Sequence, residues 1–443
     1  MKKILGVSAL TLVAACLIAP KFIANEYQTK LTDFIDNINS EAGYSAKIES
    51  TESSWFGSTS KVLVNIDTTT IAPTLQGKKL SAEFELDTQF GPLLFAPQGV
   101  IGLFSTDVKL KGDEQRHYLN WGADTPLYTL SLISNLFGDL QFADYIPAFS
   151  NKAQTLSVSE YSGHGKLAND KLIYNGGFKA ATASEQTTTT LQNVTLNLDL
   201  DADWATIRSE GFYNGNMGLN IEQITTVPQG EFDKLAVTLK TKLDDSTQLG
   251  SMQIGYAIKK IDVDGFQAND LNLVTELNNL DNQVFLDYGQ LIKESVSLTP
   301  NQQFAFLQQH LDTLLAGKPE FNIVEFSGET KDGKFTANLA SHLADIKNPS
   351  IAEMNDPRFW LYNAIVNANV KMDQTLLHSA VQHYVAKKMY APLNAPEVKQ
   401  QSDILIDSLV QQGIIKLENN NYSTQFHAEK GQGKIYDLAF PLM

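Results

Sequence analysis

The sequence has one cysteine, Cys16, in 443 residues. That excludes an intramolecular disulfide framework and any zinc site built on several thiolates. Basic residues are in the minority: 34 Lys and Arg stand against 50 Asp and Glu, a formal net charge of −16. Such a balance argues against nucleic acid as a partner, because phosphates would be repelled. No His-Glu-x-x-His spacing occurs among His117, His164, His310, His342, His378, His383 and His427, so the helix of a zinc hydrolase is missing. His378 and His383 are five apart on an expected helix, about 140° around its axis, and do not share a face. There is no Gly-x-Ser-x-Gly nucleophile elbow. Gly163-His164-Gly165-Lys166 and Gly431-Gln432-Gly433-Lys434 lack the spacing of a phosphate loop and a following helix, and both read as hairpin turns. Metal and cofactor are therefore both expected to be none, catalytic residues none, and the chain not an enzyme.

Apolar residues make up 43% of the chain, which excludes wholesale disorder. The length exceeds what one hydrophobic core serves, so two or three folded units are expected. Asp199, Asp201, Asp203 and Glu210 sit at the acidic positions of a calcium loop, but Trp204 stands where the turn needs glycine. The alternation of Leu196, Leu198, Leu200 and Ala202 with Asn197 and the aspartates reads better as a strand with a wet face.

One long uncharged run is present. After Met1-Lys2-Lys3, residues Ile4 to Pro20 carry no charge, about the length of a long signal core or a short membrane span. The favoured reading is a single inner-membrane anchor with its basic end inside and the bulk of the chain in the periplasm. A cleaved signal peptide is one alternative, although no Ala-x-Ala site is present. A lipoprotein is the other, with Val13-Ala14-Ala15-Cys16 as lipobox and Cys16 acylated.

Beyond the anchor, Tyr27, Leu31, Phe34, Ile35 and Ile38 share one helical face up to Gly43. The period then changes to two. Val62, Val64 and Ile66 alternate with polar neighbours, as do Leu80, Ala82, Phe84 and Leu86. Further strands are expected at 105–111, 155–161, 172–180, 188–200, 207–213, 216–224, 235–243, 250–263 and 269–277. Turn signals stand at Lys111-Gly112-Asp113, Asn175-Gly176-Gly177, Asn214-Gly215 and Asp264-Gly265. Short links imply antiparallel pairing. Helices are expected at 127–137, where Leu127, Leu130, Ile133 and Leu136 are spaced for one, and at 280–293, 304–315, 376–389 and 398–412. A hairpin spans 321–339 around Lys331-Asp332-Gly333. A long strand is expected at 359–372, and short ones at 414–417, 422–428 and 434–440. The fold class is mainly β with minor α: large curved antiparallel sheets, a membrane-proximal N-terminal helix and a helix-containing C-terminal part. The expected division is 1–24 anchor, 25–300 β-rich domain and 301–443 α+β domain.

Several segments together resemble the YdgA-like family of Gram-negative envelope proteins, a domain of unknown function. They are the basic-plus-apolar start, Trp55-Phe56-Gly57-Ser58, Phe90-Gly91-Pro92-Leu93, and the Leu311–Leu315 helix followed by the hairpin with Asp332-Gly333. Leu409-Val410-Gln411-Gln412-Gly413-Ile414, Tyr422 and Gly431-Gln432-Gly433 complete the series. Phe90 stands where the family usually has the histidine of a His-Gly-Pro motif, and Tyr436-Asp437 stands near an expected Asn-Gly. The resemblance implies a periplasmic protein tethered to the inner membrane, and it brings no catalytic residues.

Two functions of different class remain. The first, slightly favoured by the regular alternation, is an interaction or structural module whose partner is another envelope protein or a second copy. The second is a groove for a lipid or other hydrophobic ligand, with Leu93, Leu94, Phe95, Leu127, Leu130 and Ile133 as candidate lining. The groove predicts more apolar side chains than a closed core can hold. Trp55 and Phe56 are expected to anchor the core against the Tyr27–Ile38 helix, with a membrane-interface contact as the alternative. Residues 91–97, apolar and bounded by prolines, are expected as a buried loop or edge crossing, with the rim of an apolar groove as the alternative.

Overall fold

A computed structural model describes residues 2–67, 79–96, 99–293, 298–344, 346 and 349–442, with side chains from residue 18 onward. The chain forms two units, residues 1–211 with 286–299, and residues 212–285 with 300–443.

The first unit begins with α1 (Lys2–Ser40). Its strands are β1 (Tyr44–Ser53), β2 (Gly57–Asp67), β3 (Lys79–Phe90), β4 (Leu93–Ala96), β5 (Gly99–Ile101), β6 (Phe104–Leu110) and β7 (Leu119–Asn120). They continue with β8 (Tyr128–Ser134), β9 (Leu140–Ile146), β10 (Phe149–Asn151), β11 (Leu156–Val158), β12 (Tyr161–Ala168), β13 (Lys171–Ser184) and β14 (Thr188–Asp201). All pairings are antiparallel, in the order β1-β2-β3-β6-β8-β9-β12-β13-β14. The short strand β11 pairs with β13, β10 with β11, and β7 with β10. The hairpin β4–β5 is a separate two-stranded sheet.

The helix reading of Tyr27 to Ile38 holds. Leu31 and Ile35 are buried against Ala46, Val62 and Leu86, with Tyr27, Ile38, Ile48, Val64, Phe84 and Val108 around them. Each such side chain taken fully from water contributes about 1.5–3 kcal/mol. Asn39 locks the far end, because its amide exchanges two hydrogen bonds with the backbone of Ala46 at 3.0 and 2.6 Å. A short helix, α2 (Trp204–Ile207), follows β14.

The second unit is a longer meander. It runs β15 (Asn214–Val227), β16 (Gly230–Asp244), β17 (Leu249–Val263), β18 (Phe266–Asp281), then α3 (Asn282–Lys293), which crosses between the units in sequence, and α4 (Pro300–Ala316). After these come β19 (Glu320–Thr330), β20 (Gly333–Leu343), α5 (Ile351–Met354), α6 (Pro357–Asn363), β21 (Ala364–Asp373), α7 (Gln374–Met389), α8 (Pro396–Gln411), β22 (Lys416–Glu418), β23 (Asn421–Glu429), β24 (Gln432–Ile435) and β25 (Leu438–Pro441). Consecutive strands pair antiparallel from β15 to β21, then β21 with β23, whose other edge takes β22 and β24. Helices α7 and α8 pack on each other through Val385, Ala386 and Val398, and α7 touches β20, β21 and β23. The structure is thus mainly β, with the N-terminal helix and the C-terminal helices that the periodicity implied.

Several local expectations are corrected. Residues 128–134 are strand, not helix. Tyr128-Thr-Leu-Ser-Leu-Ile-Ser alternates, and β6 and β9 take up both of its edges. Residues 207–213 are not a strand, because the Asp203 carboxylate accepts from the Thr206 amide at 2.7 Å and starts a helix turn. Asp203 is therefore a cap, while Asp199 and Asp201 lie on β14, both paired with Lys171 at 2.6 and 3.1 Å. The strand expected at 359–372 begins only at Ala364. Asp356 caps α6 before Pro357 at its first turn, a pairing that favours helix. Gly163-His164-Gly165-Lys166 and Asn175-Gly176-Gly177 lie inside β12 and β13, and Asn214-Gly215 opens β15.

Candidate functional site

The register sorts every paired residue onto one of two faces. In the first unit, one face holds Ala46, Val62, Phe84, Leu86, Val108, Leu130, Leu132, Phe142, Tyr161, Tyr174, Phe178, Val194 and Leu198. Helix α1 covers its β1–β3 end. In the second unit, the matching apolar face holds Met217, Leu219 and Ile221, then Leu235, Val237 and Leu239, Met252, Ile254, Tyr256 and Ile258, Leu271, Leu273 and Leu277, and Phe321, Ile323 and Phe326. Among these only Ile221 is buried. Leu219 is 37% exposed, and Tyr256, Phe321 and Phe326 are each 44% exposed. The other face of the same strands is polar. Gln253 donates to Glu276 at 2.6 Å and Lys259 meets Asp270 at 2.5 Å. Among the described residues this sheet therefore has a wet face that carries polar pairs and an apolar face on which Ile221 alone of these side chains is fully buried over β15–β19.

A polar spot interrupts the apolar face of the first unit. Asp144 is the only charged residue among those paired on that face. Tyr174 donates to its Oδ1 at 2.9 Å, and the Tyr161 and Tyr174 hydroxyls are hydrogen-bonded to each other. Phe142 stacks on Tyr174 with centroids 5.9 Å apart. The glycines that read as turns make this arrangement possible. A Cβ on Gly163 would meet the Tyr174 hydroxyl at 2.1 Å and Asp144 Oδ1 at 2.2 Å, and one on Gly176 would meet the Tyr161 hydroxyl at 2.2 Å. Burial, with the Asp144 charge and Tyr161 behind it, pushes the Tyr128 phenol up to about 12. Burial also raises Tyr174, and its hydrogen bonds add to this.

A cleft of ≈ 400 Å³ lies beside the β1–β2 turn, lined by Glu52, Ser54, Thr59, Asp87, Gln89 and Asp107 among others. Two of its carboxylates are occupied: Lys109 and Thr59 reach Asp87 at 3.1 and 3.0 Å, and Ser131 reaches Asp107 at 2.5 Å. Among the described residues no group of three or more His, Cys, Asp and Glu is placed to hold a metal ion. His378 meets Asp403 at 3.3 Å, and His383 contacts the Ser379 carbonyl.

The sequence-derived groove residues divide. Leu94 is fully buried and Ile133 nearly so, and both pack near the β4–β5 hairpin: Leu94 against Gly102, Ile133 against Gly99. Leu93 is half exposed and Phe95 is 89% exposed. Leu127 precedes β8 and packs against Gly112. Leu130, three residues before Ile133 in a strand, points to the opposite face and does not line the same surface. Trp55 and Phe56 are 53% and 51% exposed in the β1–β2 turn and do not anchor the core, which Leu31 and Ile35 fill. The uncovered face of β15–β19 had a visible signal, its alternation, but alternation does not say whether anything covers it. Among the described residues no helix is long and apolar enough to cross a membrane. The anchor expected over Ile4–Pro20 falls within α1, but its side chains up to residue 17, that of Cys16 included, lie outside the described ones, as does Pro97 of the apolar stretch.

The chain belongs to a bacterial family of proteins of unknown function (DUF945), whose match spans residues 1–442. No curated protein and no solved structure matches it.

Proposed function

We propose that this is a non-enzymatic envelope protein, tethered at the inner membrane by its N-terminal segment, that holds an acyl chain or similar elongated hydrophobic ligand on the apolar face of β15–β19. The observation that carries the reading is the apolar face itself, with Tyr256, Phe321 and Phe326 each 44% exposed on one side of a sheet whose other side carries polar pairs such as Gln253 with Glu276. A contiguous apolar surface of this kind marks a binding site. The interaction-module reading asks for closed cores, which α1 and the α7–α8 pair provide only at their own ends of the sheets. The periplasmic address rests on the basic-plus-apolar start and on the resemblance to YdgA-like envelope proteins.

The test is photo-crosslinking of the full-length protein with a phospholipid carrying a diazirine in its acyl chain. Adducts are expected on the Tyr256–Phe326 face and are lost in Tyr256→Asp and Phe326→Asp. Adducts confined to residues 4–20 would sink the ligand reading. A second copy of the chain cross-linked through the same face would give it to self-association instead.

A further inference from the structure

The direction of α1 fixes which end of the first sheet faces its N-terminal segment. Asn39 sits at Ala46, Leu31 and Ile35 at Val62 and Leu86, and Tyr27 at the last residues of β3 and the first of β6. The Tyr27 ring meets Phe90 and Phe104 edge-on at 5.6 and 5.2 Å, and its hydroxyl accepts from Thr88 at 3.0 Å. Going towards the N-terminus, the helix runs past the Phe90 end of the sheet. Pro20 comes about 10 Å beyond Tyr27 at 1.5 Å per residue, and the uncharged run Ile4–Pro20 continues from there.

That same end carries the most exposed apolar side chains of the unit. The β1–β2 turn is tied to it by the Phe90 amide donating to the Phe56 carbonyl at 2.8 Å. The β5–β6 link is tied by Leu103 donating to Ser134 at 2.9 Å, next to the β8–β9 turn. From these connections project Trp55, Phe56, Phe95, Val100, Ile101 and Phe137, with Phe95 and Phe137 exposed by 89% and 93%. From Gly91 to Leu103 the sequence has no charged residue. Isolated exposed apolar residues are ordinary, but a cluster at one end of a sheet is not.

We propose that this turn cluster seats in the interfacial layer of the bilayer that α1 enters; the inference rests on the anchor reading above. Tryptophan and phenylalanine at a membrane boundary bury their apolar bodies at headgroup depth. A chain of net charge −16 gains nothing from anionic lipid, so the seat is held by apolar burial and is insensitive to salt.

The test uses full-length protein in phosphatidylcholine vesicles. In a Cys16→Ser background, an environment-sensitive label is placed at Val100→Cys, and in a second protein at Asn216→Cys on the polar face of β15. The expected result is flotation of both proteins, with the label at 100 quenched by a lipid-borne quencher and shielded from aqueous iodide, and the label at 216 behaving oppositely. Adding Phe95→Ser and Phe137→Ser should return the label at 100 to water while flotation persists, and 0.5 M salt, which cuts the screening length from about 30 Å at 0.01 M to about 4 Å, should change nothing. Flotation with an aqueous label at 100 overturns the seat alone. Failure to float overturns the anchor reading, and the seat with it.

Discussion

Under α1, Val62 and Leu86 are reduced to 4% and 8% exposure; on the apolar face of β15–β19, Tyr256 and Phe326 keep 44%. Both sheets are antiparallel meanders with an apolar side and a polar side. What differs is the second layer. A sheet buries one face only against another element, and in the first unit a helix supplies that element through Leu31 and Ile35. In the second, the main helix packing on the sheet is that of α7 at the β20–β23 end, with α4 against β18. The difference separates a core, where each side chain adds to stability, from a surface, where the same side chains are available to something else.

The largest expected effect tests that separation directly. Leu86→Ala removes a buried side chain from the core under α1, and should cost about 2–5 kcal/mol in chemical denaturation. Phe326→Ala removes a larger side chain that is 44% exposed and meets the Phe335 ring, and should cost under about 1.5 kcal/mol despite its size, since only part of its area leaves cover. Equal costs would mean that the second face is closed after all.

How much of this was legible follows from the same physics. The period-2 runs located most long strands, including the hairpin around Asp332-Gly333 and the strand of Leu80 to Leu86, because residues on one face repeat every two positions. Which face each residue joins was legible too. Coverage was not, since no local pattern in β15–β19 says whether a helix will lie on it. Residues 128–134 were misread because Leu127, Leu130 and Ile133 fit a helical spacing as well as a strand, and only pairing with β6 and β9 decides. Gly163 and Gly176 were misread because glycine marks turns and also marks places where a ring from the neighbouring strand lies flat on the backbone. Trp55 and Phe56 were expected inside on size alone, and their position in a turn beyond the end of α1's packing overrides it.

Those glycines give a second, intermediate test. Gly163→Ala puts a methyl within 2.1 Å of the Tyr174 hydroxyl and 2.2 Å of Asp144. The phenol ring is stiff and stacked on Phe142, so the network must shift, at about 1–3 kcal/mol. Gly218, on β15 of the second unit, has nothing within 4 Å of its virtual Cβ. Gly218→Ala should be neutral or stabilising by up to about 1 kcal/mol, through the unfolded chain. If the two substitutions cost the same, the tyrosines do not rest on Gly163.

The smallest expected effect concerns pH. Tyr128 titrates near 12 in the folded protein, against 10.0 for a free phenol, because burial disfavours its phenolate. The folded state therefore holds its proton more tightly than the unfolded state does. Its contribution is fully present below pH 10 and is lost as pH rises from 10 towards 12. Burial also raises Tyr174 and Tyr422, so phenolate absorbance should show several late-titrating groups, one fewer in Tyr128→Phe, and the alkaline loss of stability should flatten in that variant by a fraction of the total. If Tyr128→Phe left the late phase at full amplitude, Tyr128 would not be shielded, and the polar spot around Asp144 would be open to water rather than part of a covered face.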